Sequence, residues 1–469
     1  MTATLEAPAP VTTRRIPIWL AIVAASLPMF MATLDNLVMT NALPSIRLDL
    51  GASVEELQWF VNAFTLSFAT VILLAAALGD RYGRRTVFVI GTVLFTAASV
   101  LSALSTEPWQ LIGSRALQGV GAAAVTAMSL TLLVASVSER RRALAIGVWG
   151  GINGLGVALG PLVGGAVVEG WNWEAIFWLN VPVGIIAVPL ALLALPNSVG
   201  ARVRADIVGV VLVGLGVLGV VYGIVSGNDK GWDSVEVMGS LIAGGALIAA
   251  FIIWESRVDA PLLPLRLFRD RSFSVANIVG LTFSFGVFGS IFILIQFLQV
   301  VQGYTPLGAG VATMPWTMAP MVVAPLAGLV ASRVGTRLLI IVGLVLQAAG
   351  VLWLAATMSA DVSYVTMLPA FIAAGIGMGL VFAPISTAVL ATMKSQDHAK
   401  ASGANSTVRE VGVALGIAVL TAVFVGAGGA LTPDLYVDAA KPAVFVGGLV
   451  LALAATIAIL LPSGRAAKI

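Results

Sequence analysis

Asp35 and Arg115 are the residues of this 469-residue chain best placed to do chemistry, because each interrupts a long apolar run where a charge is expensive. Asp35 lies in MFMATLDNLVMTNALP and is the only carboxylate well inside an apolar run of the first half. An acid so submerged marks a proton or ion path; the plainer alternative is a hydrogen bond between helices. Burial favours the neutral form of a carboxyl and a neighbouring guanidinium favours the charged form, so small movements of an Asp–Arg pair load or release a proton. The plainer reading of Arg115 is a fixed internal counter-ion. Arg409 and Glu410 form a second charged pair. TVRE, from Thr407, fits a capping box at a water-facing helix start. An internal repeat instead places the pair well inside a helix, and on that ground Glu410 is a second, weaker candidate for proton or cation binding. His398, just before, reads as a solvated loop residue. Polar and aromatic groups for a substrate cavity are Gln118, Asn153, Gln296, Gln299 and Arg409, with Trp149 and Trp316 as walls, although tryptophan in a span is more often a packing or interfacial residue.

The elements that must hold these residues follow from composition. Hydrophobic residues make up 59% of the chain and charged residues 10%, against roughly 25% charged in a soluble domain. Uncharged runs recur that are long enough to cross ~30 Å of hydrocarbon as helices. The pattern predicts an all-α membrane protein with fourteen spans, near 16–41, 56–78, 86–105, 109–135, 142–168, 174–195, 205–227, 236–254, 272–301, 307–331, 337–358, 363–392, 400–427 and 442–462. Positively charged loops are retained in the cytoplasm. With fourteen spans, 21 of the 25 basic residues fall on the side of both termini, Arg47, Lys230 and Lys441 fall on the other, and Arg115 lies inside a span. One helix more or fewer would scramble this alternation. The net charge of +3 is therefore a topology signal and not a nucleic-acid patch. Asp35 and Arg115 each lie six residues from the far ends of their spans, about 9 Å deep, so the two can meet.

Two phrases recur in order. AALGDRYGRR from Ala76 aligns with GLVASRVGTR from Gly328 at an offset of 252, and GVALG at Gly156 returns at Gly412 at an offset of 256. Such self-similarity indicates duplication. Spans 1 to 6 match spans 9 to 14, which leaves two inserted spans and gives five segments: a tail (1–15), a six-helix bundle (16–196), an inserted pair with linkers (197–271), a second bundle (272–462) and a tail (463–469). Two halves with a site between them is the parallel-repeat plan of many secondary transporters.

On these residues the chain resembles the major facilitator superfamily, and within it the drug:proton antiporters with fourteen spans. The superfamily's loop signature GxLxDRxGRR appears as Ala76 to Arg85, with alanine for the opening glycine, and Arg115, Gln118 and Gly119 match its fourth-helix signature. Gly147, Gly156, Gly160, Pro161, Gly164 and Gly165 meet the antiporter signature of the fifth helix at every position. LDNLVMTNALP meets the first-helix signature LDxTxVNxALP only in part, since Leu37 and Thr40 depart from it, and QVVQGYTPLGAG after Gln299 is similar to the ninth-helix signature. The resemblance implies that Asp35 and Arg115 couple protons. It implies that the loop of Asp80, Arg81, Gly83, Arg84 and Arg85 latches the halves, its acid facing a helix N-terminus across the interface, where the dipole favours negative charge. By position alone that loop is a solvated turn carrying an orientation signal, and the second copy has Ser332 in place of the acid. Glycines three and four apart let helices approach closely, and proline bends a helix, so the fifth span reads as a hinge or seal. In the thirteenth span Ile417 replaces the proline, and only close packing remains.

The chain holds no cysteine, and no HExxH, GxSxG or phosphate-binding GxxxxGK[ST]. GLGVLG at Gly214 matches a dinucleotide fingerprint but lies in an uncharged span. The reading is a non-enzymatic, proton-coupled exporter of amphipathic or hydrophobic small molecules, monomeric, without cofactor or metal, in a bacterial cytoplasmic membrane with both termini inside. A proton-coupled uptake permease is the runner-up, and a non-transporting scaffold the third class.

Overall fold

In hydrocarbon a chain must pair every backbone group internally, and this one does so with helices. A computed structural model describes residues 17–199, 206–259, 261–393 and 397–462; the expected tails, parts of the linkers and the side chain of Ser332 lie outside the described residues. The helices are α1 (Ile18–Leu50), α2 (Val54–Tyr82), α3 (Arg84–Ala103), α4 (Pro108–Ser136), α5 (Glu139–Gly170), α6 (Ala175–Trp178), α7 (Asn180–Ala194), α8 (Ile207–Lys230), α9 (Val235–Glu255), α10 (Arg271–Gln296), α11 (Pro306–Thr317), α12 (Ala319–Val334), α13 (Thr336–Thr357), α14 (Tyr364–Leu390), α15 (His398–Gly426) and α16 (Pro433–Ala458). Among the described residues they make fourteen spans long and apolar enough to cross a membrane.

Three spans depart from plain helices, and α1 outruns its expected end at 41. Thr40 and Asn41 read as a boundary, but the helix continues through Pro44, buries Ala42, Leu43 and Ile46, and stops at Gly51 with φ of 63°. The sixth span breaks at Leu179, where Pro182 has no N–H to offer the Trp178 carbonyl. The tenth breaks at Met318, where Pro320 deprives Trp316 in the same way. The ninth ends in a π-turn over Phe297–Val301.

The duplication is visible as repeated packing. Gly83 (φ 109°) turns α2 into α3 and Gly335 (φ 87°) turns α12 into α13, each in backbone geometry that a side chain would strain. Gly156 and Gly160 press α5 onto Phe30, Thr33 and Leu37 of α1; Gly412 and Gly416 press α15 onto the Leu281 and Phe285 carbonyls of α10.

The halves meet along α2 with α15 and along α5 with the tenth span. On the side away from the basic loops, here the far side, the second seam is shut. A Cβ at Gly165 would overlap the Pro306 carbonyl oxygen, Asn41 Nδ2 donates to the Pro161 carbonyl at 2.5 Å, Gln299 Nε2 donates to the Asn41 carbonyl at 3.0 Å, and Glu169 accepts from Leu307 N at 3.2 Å. Gly147, Gly151 and Gly154 share a helical face with Pro161 and Gly165, and nothing lies within 4 Å of where their Cβ atoms would be. The same face is sealed at one end and bare at the other: the crevice opens toward the basic side.

The inserted α8 lies on the other seam. Its Val221 and Val225 pack with Leu66 of α2 and Ala414 and Ala418 of α15. Ser226 Oγ donates to Glu55 at 2.9 Å and Asn228 Nδ2 to the Ala422 carbonyl at 2.5 Å, so α8 holds both halves. Below, two buried carboxyls face each other. Asp206 Oδ1 accepts from Gly209 N (2.8 Å) and Trp254 Nε1 (2.9 Å), and Glu255 Oε2 accepts from Leu263 N (3.0 Å). Their other oxygens, Oδ2 and Oε1, meet over the bare Cα of Gly209 without another partner. The linker after α9 is tied to the start of α15 by Arg266, whose guanidinium donates to both oxygens of Asp397 at 2.6 and 3.1 Å; hydrogen bonding to that carboxylate raises the arginine further above its ordinary range.

Candidate functional site

Asp35 stands near the middle of α1, deeper than the expected 9 Å because the helix runs on to Leu50. Arg115, two turns inside α4, nevertheless reaches it. Arg115 Nη1 donates to Asp35 Oδ2 in an ion pair that is 0% exposed on the arginine side chain and 1% on the aspartate. Arg115 Nε donates to the Phe60 carbonyl of α2 at 3.1 Å, and the guanidinium carbon lies 4.6 Å from the Phe64 ring centroid. That aromatic face adds cation–π attraction where no water competes.

The second carboxylate oxygen is held by amides. Asp35 Oδ1 accepts from Asn180 Nδ2 at 2.7 Å and from Gln118 Nε2 at 3.3 Å. Ser99 Oγ of α3 accepts from the same two amides, at 2.8 Å from Gln118 and 3.2 Å from Asn180. Gln118 Oε1 accepts in turn from Arg115 Nη1 at 2.8 Å and Ser102 Oγ at 3.3 Å. Every neighbour of Asp35 in this network donates to it, which is the arrangement an ionised carboxylate requires. Asn180 and Ser99 carry no charge and went unread in the sequence; the signal available for Asn180 was an amide two residues before Pro182 in an otherwise apolar span.

The other expected site residues separate into groups. Gln118 belongs to the acid network and not to an open cavity. Gln296 is buried and donates to the Phe292 carbonyl of its own helix at 2.9 Å. Gln299 serves the far seal. Trp316 is 1% exposed and packs 6.2 Å from the Phe371 ring inside the second half, so it walls no crevice. Trp149 and Asn153 remain half-buried on α5, with Trp149 Nε1 donating to Ser129 Oγ at 2.7 Å and Asn153 Nδ2 to the Trp149 carbonyl at 3.0 Å.

Glu410 and Arg409 are half-buried within α15, which begins at His398, so the capping box does not form. Thr407 Oγ1 donates instead to the Ala69 carbonyl of α2 at 3.2 Å. Arg409, counted above with the basic loops, thus lies inside a span, its guanidinium carbon 4.2 Å from the Phe382 ring centroid. His398 opens the helix, its Nε2 3.1 Å from the Met393 carbonyl, and is not a free loop residue. Asp80 accepts from Arg84 Nε at 2.8 Å within its own loop, and Arg85 Nη1 donates to the Leu192 and Leu195 carbonyls at 3.0 and 3.1 Å. Arg81 lies over Tyr82, and Gly83 supplies the turn. Among the described residues the side-chain hydrogen bonds of this loop stay within the first half.

Comparison with known proteins meets this geometry at the level of the family. The family model described as Major Facilitator Superfamily matches residues 25–417. The chain belongs to that superfamily. This facilitator is 34% identical over 450 residues to the multidrug resistance protein Stp of Mycobacterium tuberculosis, covering 92% of this chain and 83% of that one. It is 32% identical over 428 residues to the tetracenomycin C resistance and export protein of Streptomyces glaucescens, covering 91% and 79%. A crystal structure of a bacterial homologue of the human lysosomal transporter Spinster superposes with a TM-score of 0.64 at 16% identity, over 95% of this chain and 96% of that one, and shows the shared fold. With fourteen spans among the described residues and resistance proteins among its relatives, the facilitator is a multi-pass membrane transporter of the drug-antiporter group.

Proposed function

We propose that this facilitator exports amphipathic or hydrophobic small molecules, of the drug and antibiotic class, in exchange for protons, by alternating access. The observation that carries the reading is the fully buried Asp35–Arg115 pair, on which α1, α2, α3, α4 and α7 converge. The crevice between α5 and the tenth span, open to the basic side, is the state that receives substrate from the cytoplasm, with both termini inside a bacterial cytoplasmic membrane. Proton loading of Asp35 from the far side releases the substrate outward, and proton loss to the cytoplasm resets the pair. One proton is worth about 2.3 kcal/mol per 100 mV, or roughly 50-fold accumulation of a neutral substrate. The protein acts as a monomer, each chain carrying its own acid.

Proteoliposomes holding the full chain test this with ethidium, an amphipathic cation. Uptake into inverted vesicles on acidifying the lumen, abolished by Asp35→Asn at equal protein level, is the expected result. Uptake that instead follows the proton inward would establish the permease, and unaltered transport by Asp35→Asn would remove the acid from the mechanism.

A further inference from the structure

Resting on the proton-exchange reading, we infer that Asn180 is the residue that senses whether Asp35 carries its proton and passes that state to the sixth span. A protonated Asp35 presents an O–H and needs an acceptor, and the network offers few. Arg115 has only donors. Gln118 Oε1 already accepts from Arg115 and Ser102, and Gln118 Nε2 is fixed on Ser99 at 2.8 Å, so turning that amide would break three bonds. Ser99 Oγ already accepts from two amides and donates to the Phe95 carbonyl at 2.9 Å.

Asn180 differs. Its Nδ2 holds Asp35 at 2.7 Å and Ser99 at a longer 3.2 Å, while its Oδ1 takes part in no hydrogen bond among the described residues. Half a turn of this carboxamide about its last side-chain bond replaces the N–H facing Asp35 by a carbonyl oxygen. The proton on Asp35 is then accepted, the longer Ser99 bond is given up, and Nδ2 takes the place of an oxygen that had no protein partner. Asn180 as a whole is 3% exposed.

The position of Asn180 turns this rotation into a movement. It is the first residue of α7, directly after the break at Leu179 that Pro182 imposes. With Asp35 ionised, Asn180 ties the start of α7 to α1 and α3 together; with Asp35 protonated it ties α7 to α1 alone. α7 packs on both of these helices, so releasing one of two ties at a pre-broken point changes how the sixth span seats against the bundle. No other charged side chain faces Asp35 from α2, α3 or α7, and Arg115 of α4 is its one charged partner among the described residues. Asn180 carries neither charge nor proton itself and acts through its hydrogen bond to the Asp35 carboxyl; it is a positioning residue.

The test is the pH profile of gradient-driven ethidium transport in proteoliposomes of the full chain. Asn180→Leu, which neither donates nor accepts, is expected to keep ethidium binding but to move the half-maximal pH by about one unit to the alkaline side, because the bond lost from the charged carboxylate is stronger than the one lost from the neutral acid. Asn180→Ser can donate to a carboxylate or accept from a carboxylic acid and is expected to retain the wild-type profile. A profile unchanged in Asn180→Leu overturns the inference, as does an equal shift in Asn180→Ser. If Asn180→Leu does not reach the membrane, the comparison of Asn180→Ser with Asn180→Asp decides: an ionised aspartate accepts but cannot donate and adds a negative charge beside Asp35, and an unshifted profile there is equally fatal. Failure of the wild-type protein to transport at all would instead strike the exporter reading.

Discussion

Gly165→Ala should unseat the far seal and tip this transporter toward its outward-open state. The Cβ of alanine would lie 2.6 Å from Leu307 Cα and overlap the Pro306 carbonyl oxygen, whereas carbon atoms in contact stand about 3.5–4.0 Å apart. The seam between α5 and α11 must therefore part by about 1 Å, which disturbs the Asn41–Pro161, Gln299–Asn41 and Leu307–Glu169 bonds lying beside it. Overpacking of this kind costs about 1–3 kcal/mol, and only in the state where the seam is closed. The ratio of far-closed to far-open molecules then falls roughly 5- to 150-fold. The chain has no cysteine, so nitroxide labels attach only where cysteine is introduced. A pair at Leu48 and Leu435, exposed far-side positions in opposite halves at 83% and 54%, reports the opening as a longer electron–electron distance. Gly147→Ala is the internal comparison, because no atom lies within 4 Å of its added methyl. A Gly165→Ala distance distribution that superposes on wild type, or an equal displacement in Gly147→Ala, would refute the reasoning.

Two further outcomes follow from buried charge. Arg115→Leu leaves the Asp35 carboxylate buried without its partner and should cost about 3–5 kcal/mol in thermal unfolding, with part of the loss restored by adding Asp35→Asn; a double variant no more stable than the single one contradicts the pairing. Glu255→Gln turns one of two facing carboxyls into an amide that can donate to Asp206 Oδ2, and should raise the unfolding midpoint by about 1 kcal/mol's worth of stability, whereas Glu255→Ala lowers it. A destabilised glutamine variant would show that the two oxygens do not need a donor between them.

Charge and hydropathy are one-dimensional signals, and what they encode was legible: fourteen spans, the duplicated phrases, and an acid and an arginine deep enough to meet. Neutral hydrogen bonding leaves no such trace. Asn180 is one amide in an apolar run, and only folding brings it 2.7 Å from a carboxylate 145 residues earlier. Gln118 and Gln299 looked like cavity groups because sequence gives polarity without direction; α4 turns the first toward Asp35, and the second reaches across to the Asn41 carbonyl. The end of α1 was missed because Thr40, Asn41 and Pro44 resemble a stop, while the burial of Leu43 and Ile46 that carries the helix onward is a tertiary fact. The capping-box reading of Thr407 failed for a related reason: α15 already begins at His398, so the N–H groups after Thr407 are paired inside the helix.

The inserted α8 fastens one seam of the protein from outside, through Ser226 to the first half and Asn228 to the second, and among the described residues the opposite seam has no such strap. A greasy molecule dissolved in the inner leaflet therefore meets two flanks of different character. One is boarded over by a helix that both moving bodies share; the other presents the glycine-bared wall of α5. A compound arriving by way of α5 would not have to pass the inserted helix, which packs on α2 and α15.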